Sequence, residues 1–285
     1  MAKTIMISNQ KGGVGKTTTA LELCAMLTRA GKKVLALDTD GQCDLSTYSG
    51  ADLKWDYNIM DTLIYLRNVI LEEEEDADVE LDEKFNTFEL EHAIQTVNEG
   101  FDIIVSTPKL SEADAEFSKP EDIYLMKDLI DEIGDAYDYI VIDCAPARTR
   151  ILYMTYFAAD YCILLTECDD GSIRGIHRVI TDVKLARRRN MTNVKIIGTL
   201  LSKDEGTKAH TEAYEILCDI GEKTGVMPFE TTIWKGIAAS ESKNNRMSIH
   251  EYVDTCKSRE VKKKAKSLIE AYEDLLNEVI ERIGA

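Results

Sequence analysis

The chain has 285 residues, of which 44% are hydrophobic and 30% charged, an ordinary composition for a globular protein. It contains no apolar run of the roughly 18 residues needed to cross a bilayer, and its first residues do not resemble a signal peptide. Seven cysteines without a Cys-x-x-Cys pair argue against a disulfide framework or a metal cluster and favour a reducing cytoplasm.

The formal net charge of −18 at first argues against a nucleic-acid partner, but the charge is unevenly distributed. Residues 72–99 carry 12 acidic residues and one lysine, which predicts an acidic insertion that forms a solvated, partly disordered loop. Basic clusters lie at residues 174–189 and 257–266. Net charge therefore does not exclude DNA as a ligand.

Short apolar runs with polar ends recur along the chain and predict strands, whereas the segments between them have helical periodicity. The predicted strands span 3–8, 33–38, 101–107, 137–144, 160–166 and 194–202, and the main predicted helices span 123–133, 172–189, 208–218 and 258–283. Alternating strands and helices indicate a central, mainly parallel sheet flanked by helices. No linker-like segment divides the chain, so residues 1–285 are predicted to form a single α/β domain.

A glycine-rich loop, "NQKGGVGKTTTA", follows the first predicted strand and precedes a predicted helix. Such loops turn backbone N–H groups toward phosphate, and the start of the helix adds positive potential. The predicted nucleotide-binding residues here are Gly12, Gly13, Val14, Gly15, Lys16, Thr17 and Thr18. The Lys16 ammonium is expected to reach the β- and γ-phosphates, and the Thr17 hydroxyl to bind Mg²⁺.

Acidic residues end two other predicted strands, and the carboxyl ends of parallel strands share one edge of a sheet. Asp143 ends the run "YIVID" and suits a position that holds Mg²⁺. Asp38 and Asp40, in "DTDGQ", are two residues apart, so both face the same side of an extended segment. One of the two can help to hold the metal while the other orients the attacking water; the alternative is a turn rich in Asp and Gly.

Together, "KGGVGKTT", "DTDGQ" and "IVID" resemble the deviant phosphate-loop ATPases of the ParA/MinD superfamily. The resemblance implies an ATP-dependent dimer in which Lys11 reaches across to the nucleotide of the partner subunit. It also implies that Asp40 positions or activates water, which assigns Asp38 to the metal, and that hydrolysis of ATP dissolves the dimer. Lys11, Lys16 and Asp40 are therefore the expected catalytic residues.

The resemblance extends more loosely to the C-terminal part of the chain, where the segment beginning "VMPFETTIW" implies that Pro228 lies near the nucleotide base. The chain departs from the family pattern after Asp143, where it reads "CAPARTR" instead of two prolines and a glycine. Arg148 and Arg150 are therefore expected to change the local geometry near the γ-phosphate.

Among the members of this superfamily, the chain most resembles DNA-partitioning ATPases, which bind DNA without sequence preference. That resemblance implies a ParB-like, centromere-binding partner. It also implies that the protein is cytoplasmic and associated with the nucleoid. The candidate DNA contacts are Lys235, Arg246, Arg187 and Arg188, although a basic helix end is more often a solvated surface.

The main alternative is a MinD-like spatial regulator, which binds membranes through a basic amphipathic C-terminal helix. In the present chain the apolar face of residues 258–283 is backed by acidic residues such as Glu270 and Glu278. Anionic lipid would repel these acidic residues. We therefore expect the apolar face of the helix to pack on the protein's own core and expect no membrane partner.

Overall fold

The computed structural model describes residues 1–75, 83–85 and 87–284, which form one eight-stranded sheet with helices on both faces. The strand order is β3-β4-β2-β5-β1-β6-β7-β8, and every pairing is parallel except that of β3 with β4. The strands are β1 Lys3–Ser8, β2 Val34–Thr39, β3 Ile94–Thr96, β4 Asp102–Ile104, β5 Tyr139–Cys144, β6 Tyr161–Thr166, β7 Lys195–Asp204 and β8 Ile233–Trp234. The prediction of a central, mainly parallel sheet is confirmed.

Eleven α-helical segments lie within the described residues, together with short 3₁₀ turns. They are α1 Lys16–Arg29, α2 Asp44–Tyr48, α3 Ile59–Glu75, α4 Ala113–Glu116, α5 Leu125–Ile133, α6 Arg150–Ala158, α7 Asp170–Arg188, α8 Lys208–Thr224, α9 Ile237–Asn244, α10 Ile249–Thr255 and α11 Arg259–Ile283. None of the described helices combines the length and the apolarity needed to cross a membrane.

Alternate residues of the central strands enter two hydrophobic layers, as the two-residue period of a strand requires. In β1, Met6 packs on the face covered by α3, α5, α6, α7 and α8, while its neighbours Ile5 and Ile7 pack on the face covered by α1, α9, α10 and α11. Because both faces of the sheet are covered, its strands are almost continuously apolar.

The C-terminal helix α11 packs on the second of these layers. Leu268, Tyr272, Leu275 and Val279 are buried there, at the spacing of one helical face. Near the end of the helix, the Arg282 guanidinium donates to backbone carbonyls of the β7–β8 region and stacks over the ring of Phe229 at 4.1 Å. The apolar face of α11 is therefore covered by the protein's own core.

The acidic segment 72–99 corrects one expectation from the sequence. Residues 76–82 and 86 lie outside the described residues, but Phe85 and Phe88 are buried against the core and Phe88 packs on Tyr57 with ring centroids 4.4 Å apart. Glu89 and Glu91 alternate with these buried positions and point to solvent. The prediction of a solvated loop is wrong for this part, because the apolar residues between the acids supply a buried face.

Candidate active site

A cleft of about 890 Å³ opens at the carboxyl edge of the sheet, where the predicted strand ends converge. Its lining comes from the loop after β1, the ends of β2 and β7, the loop after β5, and the segment from β8 into α9. It includes most of the predicted nucleotide-binding residues, namely Gly12, Gly13, Gly15, Lys16, Thr17 and Thr18, together with Asp40. The cleft is large enough for a nucleotide.

Two glycines give the loop after β1 its shape. Gly13 has φ +82° and Gly15 has φ +95°, in the left-handed region that side chains disfavour. Gly15 also caps α1, so the unpaired N–H groups of the first helical turn are available to an anion. The Val14 side chain is instead buried in the core, and its carbonyl accepts a hydrogen bond from the Ser202 hydroxyl at 2.6 Å.

Asn9 holds the start of the loop against α7. Its side-chain amide donates to the carbonyls of Leu165, at 2.5 Å, and Ser172, at 3.2 Å, and its side-chain oxygen accepts from the Lys11 N–H at 3.0 Å. A Cβ atom on Gly175 in α7 would lie 2.0 Å from that oxygen, so only glycine fits there. The close approach of α7 thus fixes the backbone next to Lys11.

Lys16 lies at the bottom of the cleft and is 6% exposed. Its ammonium donates to the Lys11 carbonyl at 3.1 Å. Burial lowers the pKa of Lys16, while the nearby Asp143 acts in the opposite direction. A buried cation that lines an open cleft is well placed to receive phosphate charge.

Asp38 and Asp143 are direct neighbours on the paired strands β2 and β5, and both are buried. The Asp38 carboxylate accepts hydrogen bonds from the backbone and hydroxyl of Ser46, at 2.8 and 2.6 Å, and from the Asp40 N–H at 3.2 Å. Neither carboxylate oxygen of Asp143 has a hydrogen-bond partner within the described residues. Burial, together with the charge of Asp38, raises the pKa of Asp143 to about 8.

The unpaired oxygens of Asp143 provide a test of whether these residues suit a divalent cation. Buried carboxylates are normally hydrogen-bonded or bound to metal, and Mg²⁺ prefers oxygen ligands. Asp143 and the Thr17 hydroxyl therefore fit the predicted metal site. Asp38, also predicted as a metal residue, is already engaged with Ser46 and suits a position one step back from the ion.

Asp40 lines the cleft and is half-buried. One of its carboxylate oxygens accepts from the Gln42 N–H at 3.0 Å, and its backbone carbonyl accepts from the Ser106 hydroxyl at 2.7 Å. These contacts fix the loop that carries Asp40 at the rim of the cleft.

Lys11 does not line the cleft, although Gly12 does. Its ammonium donates to an Asp169 carboxylate oxygen at 2.7 Å, and Glu167 lies at 3.9 Å. Burial would raise the pKa of Asp169, but the hydrogen bonds from Lys11 and Ser172 outweigh it and lower that pKa to about 2. The sequence had given no partner for Lys11, although Asp169 could be expected as an N-cap, since it directly precedes α7.

The two arginines that depart from the family pattern both point away from the cleft. Ala145, Pro146, Ala147 and Thr149 line it, but Arg148 and Arg150 do not. Arg148 donates to both carboxylate oxygens of Asp182 in α7, at 3.0 and 2.8 Å, and Arg150 donates to the carbonyls of Lys119 and Pro120. Gln10 also donates to Asp182, at 3.1 Å.

The remaining predicted residues are dispersed. Pro228 does not line the cleft, and its carbonyl accepts from Arg282 at 2.7 Å. Lys235 lines the cleft and pairs with Glu205 at 2.5 Å. Arg246, Arg187 and Arg188 are exposed at the ends of α9 and α7.

The structure also brings Lys243 to the cleft, a residue that the sequence pattern did not single out. Its ammonium lies 5.1 Å from the centroid of the Tyr48 ring, and burial lowers its pKa. Lys203, another lining residue, pairs with Glu167 at 2.7 Å. In the part of the chain that the structure describes, Lys243 has no hydrogen bond or ion pair of its own.

The sequence of the chain is similar to a known protein family and to characterised ATPases. A family model described as an AAA domain matches residues 2–196. The chain is 27% identical over 285 residues to the chromosome-partitioning ATPase Soj of Treponema pallidum, covering 100% of this chain and 99% of that protein. It is 31% identical over 206 residues to the sporulation initiation inhibitor protein Soj of Bacillus subtilis, covering 71% and 73%.

Among solved structures, the ATP complex of Cyanothece McdA(D38A) is similar in fold. The TM-score is 0.77 at 21% identity, covering 99% of this chain and 96% of that one.

Proposed function

The chain belongs to the ParA family of partitioning ATPases, and on that premise we propose that it is a DNA segregation protein operated by an ATP-dependent dimer. Two copies would close over two nucleotides, and the closed dimer would bind DNA without sequence preference. Hydrolysis would then return the copies to the free state. The position of Lys11 carries this proposal.

In the present conformation the Lys11 ammonium does not line the nucleotide cleft of its own subunit and is paired with Asp169 outside it. Lys16 already provides a cation at the bottom of that cleft. A second cation at the γ-phosphate would stabilise the charge that develops during phosphoryl transfer. We infer that Lys11 provides it to the nucleotide of a second subunit.

The other steps fall to residues of the same subunit. Lys16 and the N–H groups of the glycine loop would bind the β- and γ-phosphates, and Asp40 would orient the attacking water. Thr17 and Asp143 would hold Mg²⁺, with Asp38 in support, and the ion would neutralise charge on the phosphates. Turnover of ATP by a single subunit would be slow, since the complete site needs residues from both subunits.

The names of the relatives support partitioning as the cellular role, since one is a chromosome-partitioning ATPase. The proposed partners are a second copy of this chain, non-specific DNA and a ParB-like protein that stimulates hydrolysis. The proposed location is the nucleoid. We also propose that residues 1–285 act as a single domain.

The test is retention of the protein on random-sequence duplex DNA with ATP, ADP or no nucleotide, at low and moderate salt. Retention that requires ATP and falls with salt is the expected result. The same samples are tested against vesicles of anionic phospholipid. ATP-dependent binding to the vesicles, without DNA binding in any state, would overturn the proposal in favour of a membrane-bound regulator.

A further inference from the structure

From Arg174 to Arg188, every fully exposed charged residue of α7 is basic, in a protein whose net charge is −18. The basic residues on it and just after it are Arg174, Arg178, Lys184, Arg187, Arg188 and Arg189, all exposed. None of their side chains forms an ion pair or hydrogen bond within the described residues. From Arg174 to Arg188 the helix rises about 21 Å at 1.5 Å per residue.

The absence of acidic partners here is a property of the packing as well as of the sequence. Asp182 is the acidic residue in the middle of α7, and it is engaged with Arg148 and Gln10. Some other surface cations are paired, as Lys235 is with Glu205 and Arg29 with Glu251 and Asp254. The stripe formed by these six cations is therefore not neutralised by ion pairs within the described residues, and the exposed acid on the same helix, Asp170, lies before its beginning.

We propose that this stripe is the surface that binds the DNA backbone, an inference that rests on the proposed function above. Five of the six cations are arginines, whose planar guanidinium groups suit phosphate oxygens. Their spacing along one helix suits a regular row of phosphates rather than a single anion. Leu185 is the one apolar residue on the exposed side of α7, which is too little for a protein interface with an apolar centre.

The helix is also connected directly to the nucleotide cleft. At its beginning, Asp169 binds Lys11, and in its middle Asp182 binds both Gln10, in the loop after β1, and Arg148, in the loop after β5. The loop after β5 lines the cleft through Ala145 to Ala147. A nucleotide that reorganises these loops thus acts on the helix that carries the stripe.

The experiment compares two triple variants that lose the same charge. Arg174→Gln, Arg178→Gln and Lys184→Gln remove three cations from α7. Arg259→Gln, Lys262→Gln and Lys263→Gln remove three exposed cations from the start of α11. Binding to random-sequence duplex DNA is measured with ATP across a range of salt concentrations, and circular dichroism and ATP binding confirm that each variant is folded.

Each lost phosphate contact lowers the slope of log affinity against log salt by about 0.9, so the α7 variant should lose about 2 to 3 units of slope. Its affinity should fall by at least about tenfold at moderate salt, while the α11 variant stays close to wild type. Equal losses in both variants, or an unchanged slope in the α7 variant, would overturn the assignment. If wild type itself binds no DNA in any nucleotide state, the proposed function fails first, and the two failures are thus distinguishable.

The connection to the cleft has a separate readout. Arg148→Gln removes one of the two contacts of Asp182 without touching the stripe or the residues that line the cleft. The ratio of DNA affinity with ATP to that with ADP should fall, while the salt slope with ATP stays at the wild-type value. An unchanged ratio would show that Arg148 and Asp182 do not transmit the nucleotide state.

Discussion

The ammonium of Lys11 and the carboxylate of Asp169 lie 2.7 Å apart, just outside the cleft that Gly12 lines. Both side chains are more than a third exposed, so the pair contributes at most about 1 kcal/mol. Lys11 could therefore leave Asp169 at small cost in the dimer proposed above. The contact keeps the lysine side chain beside the cleft without blocking it.

Mixed dimers test whether Lys11 acts on the nucleotide of the other subunit. Lys11→Ala and Asp40→Ala should each bind ATP but turn it over very slowly. In a heterodimer, the Lys11→Ala subunit keeps its own Asp40 and receives Lys11 from its partner, so one site is complete. An equal mixture should recover about a quarter of wild-type turnover, since half of the dimers have one complete site of two.

The measurement is steady-state phosphate release at fixed total protein, with each variant alone as the control. Turnover in the mixture no higher than the mean of the two separate variants would show that Lys11 acts within its own subunit.

Asp38 and Asp143 allow a matched test of the metal site. They are buried neighbours, but the Asp38 carboxylate accepts hydrogen bonds and the Asp143 carboxylate has none within the described residues. Without Mg²⁺ and nucleotide, Asp143→Asn should stabilise the protein by about 1–3 kcal/mol, since it removes an unpaired buried carboxylate. Asp38→Asn should destabilise it by a similar amount, because the amide has one acceptor oxygen where the carboxylate has two, so it cannot accept the hydrogen bond from the Asp40 N–H as well as the two from Ser46.

Urea unfolding gives the stabilities, and thermal unfolding with ADP, with and without Mg²⁺, gives a metal readout that is independent of turnover. Asp143→Asn should abolish the additional stabilisation by Mg²⁺. If Mg²⁺ raises the unfolding temperature of this variant as much as that of wild type, Asp143 does not hold the ion.

Gly175 sets how closely α7 approaches the phosphate loop. Gly175→Ala places a Cβ atom 2.0 Å from the side-chain oxygen of Asn9, which must then move and lose its contacts to Leu165 and Ser172. We expect a loss of about 2–4 kcal/mol in unfolding free energy and weaker ATP binding. Gly134→Ala is the control, since its Cβ would meet only ordinary contacts at 3.9 Å or more. Equal stability of the two variants would contradict the close approach.

The local patterns of the sequence were sufficient to predict where the central strands end and where the phosphate loop lies, because those features depend on a few adjacent residues. They could not predict β3 and β8, which have three and two residues and no periodicity to detect. They also could not show which residues bind the loop. Lys11 binds Asp169, which is 158 positions away in the sequence, and Gln10 binds Asp182, which is 172 positions away. Such contacts depend on how α7 packs against the sheet and the loop after β1, and a short stretch of sequence does not contain that information.

Glu22 in α1 should make stability depend on pH. It is buried; one carboxylate oxygen accepts from the Ile249 N–H at 2.7 Å, and the other has no partner within the described residues. Burial raises its pKa from 4.5 to about 8. Between these values the folded chain holds a proton that the unfolded chain has released, so stability falls as pH rises.

Glu22→Gln should remove that dependence. The free energy of unfolding of the variant relative to wild type should increase by a few kcal/mol from pH 5 to pH 8, at about 1.4 kcal/mol per pKa unit. Urea unfolding at several pH values measures it, and Glu215→Gln, exposed on α8, is the control. A constant difference between variant and wild type across this range would show that Glu22 ionises normally.

Lys243 should bind the phosphates of the nucleotide, because it is the lysine in the cleft that lacks both an ion pair and a hydrogen bond within the described residues. Lys243→Met should weaken ATP and ADP by about tenfold, the range of one charge-assisted hydrogen bond, and leave adenosine binding unchanged. Lys235→Met, which removes a lining cation already paired with Glu205, should have a smaller effect. Calorimetric titration with the three ligands decides: an equal loss for adenosine would mean that Lys243 only supports the wall of the cleft, through its contact with Tyr48.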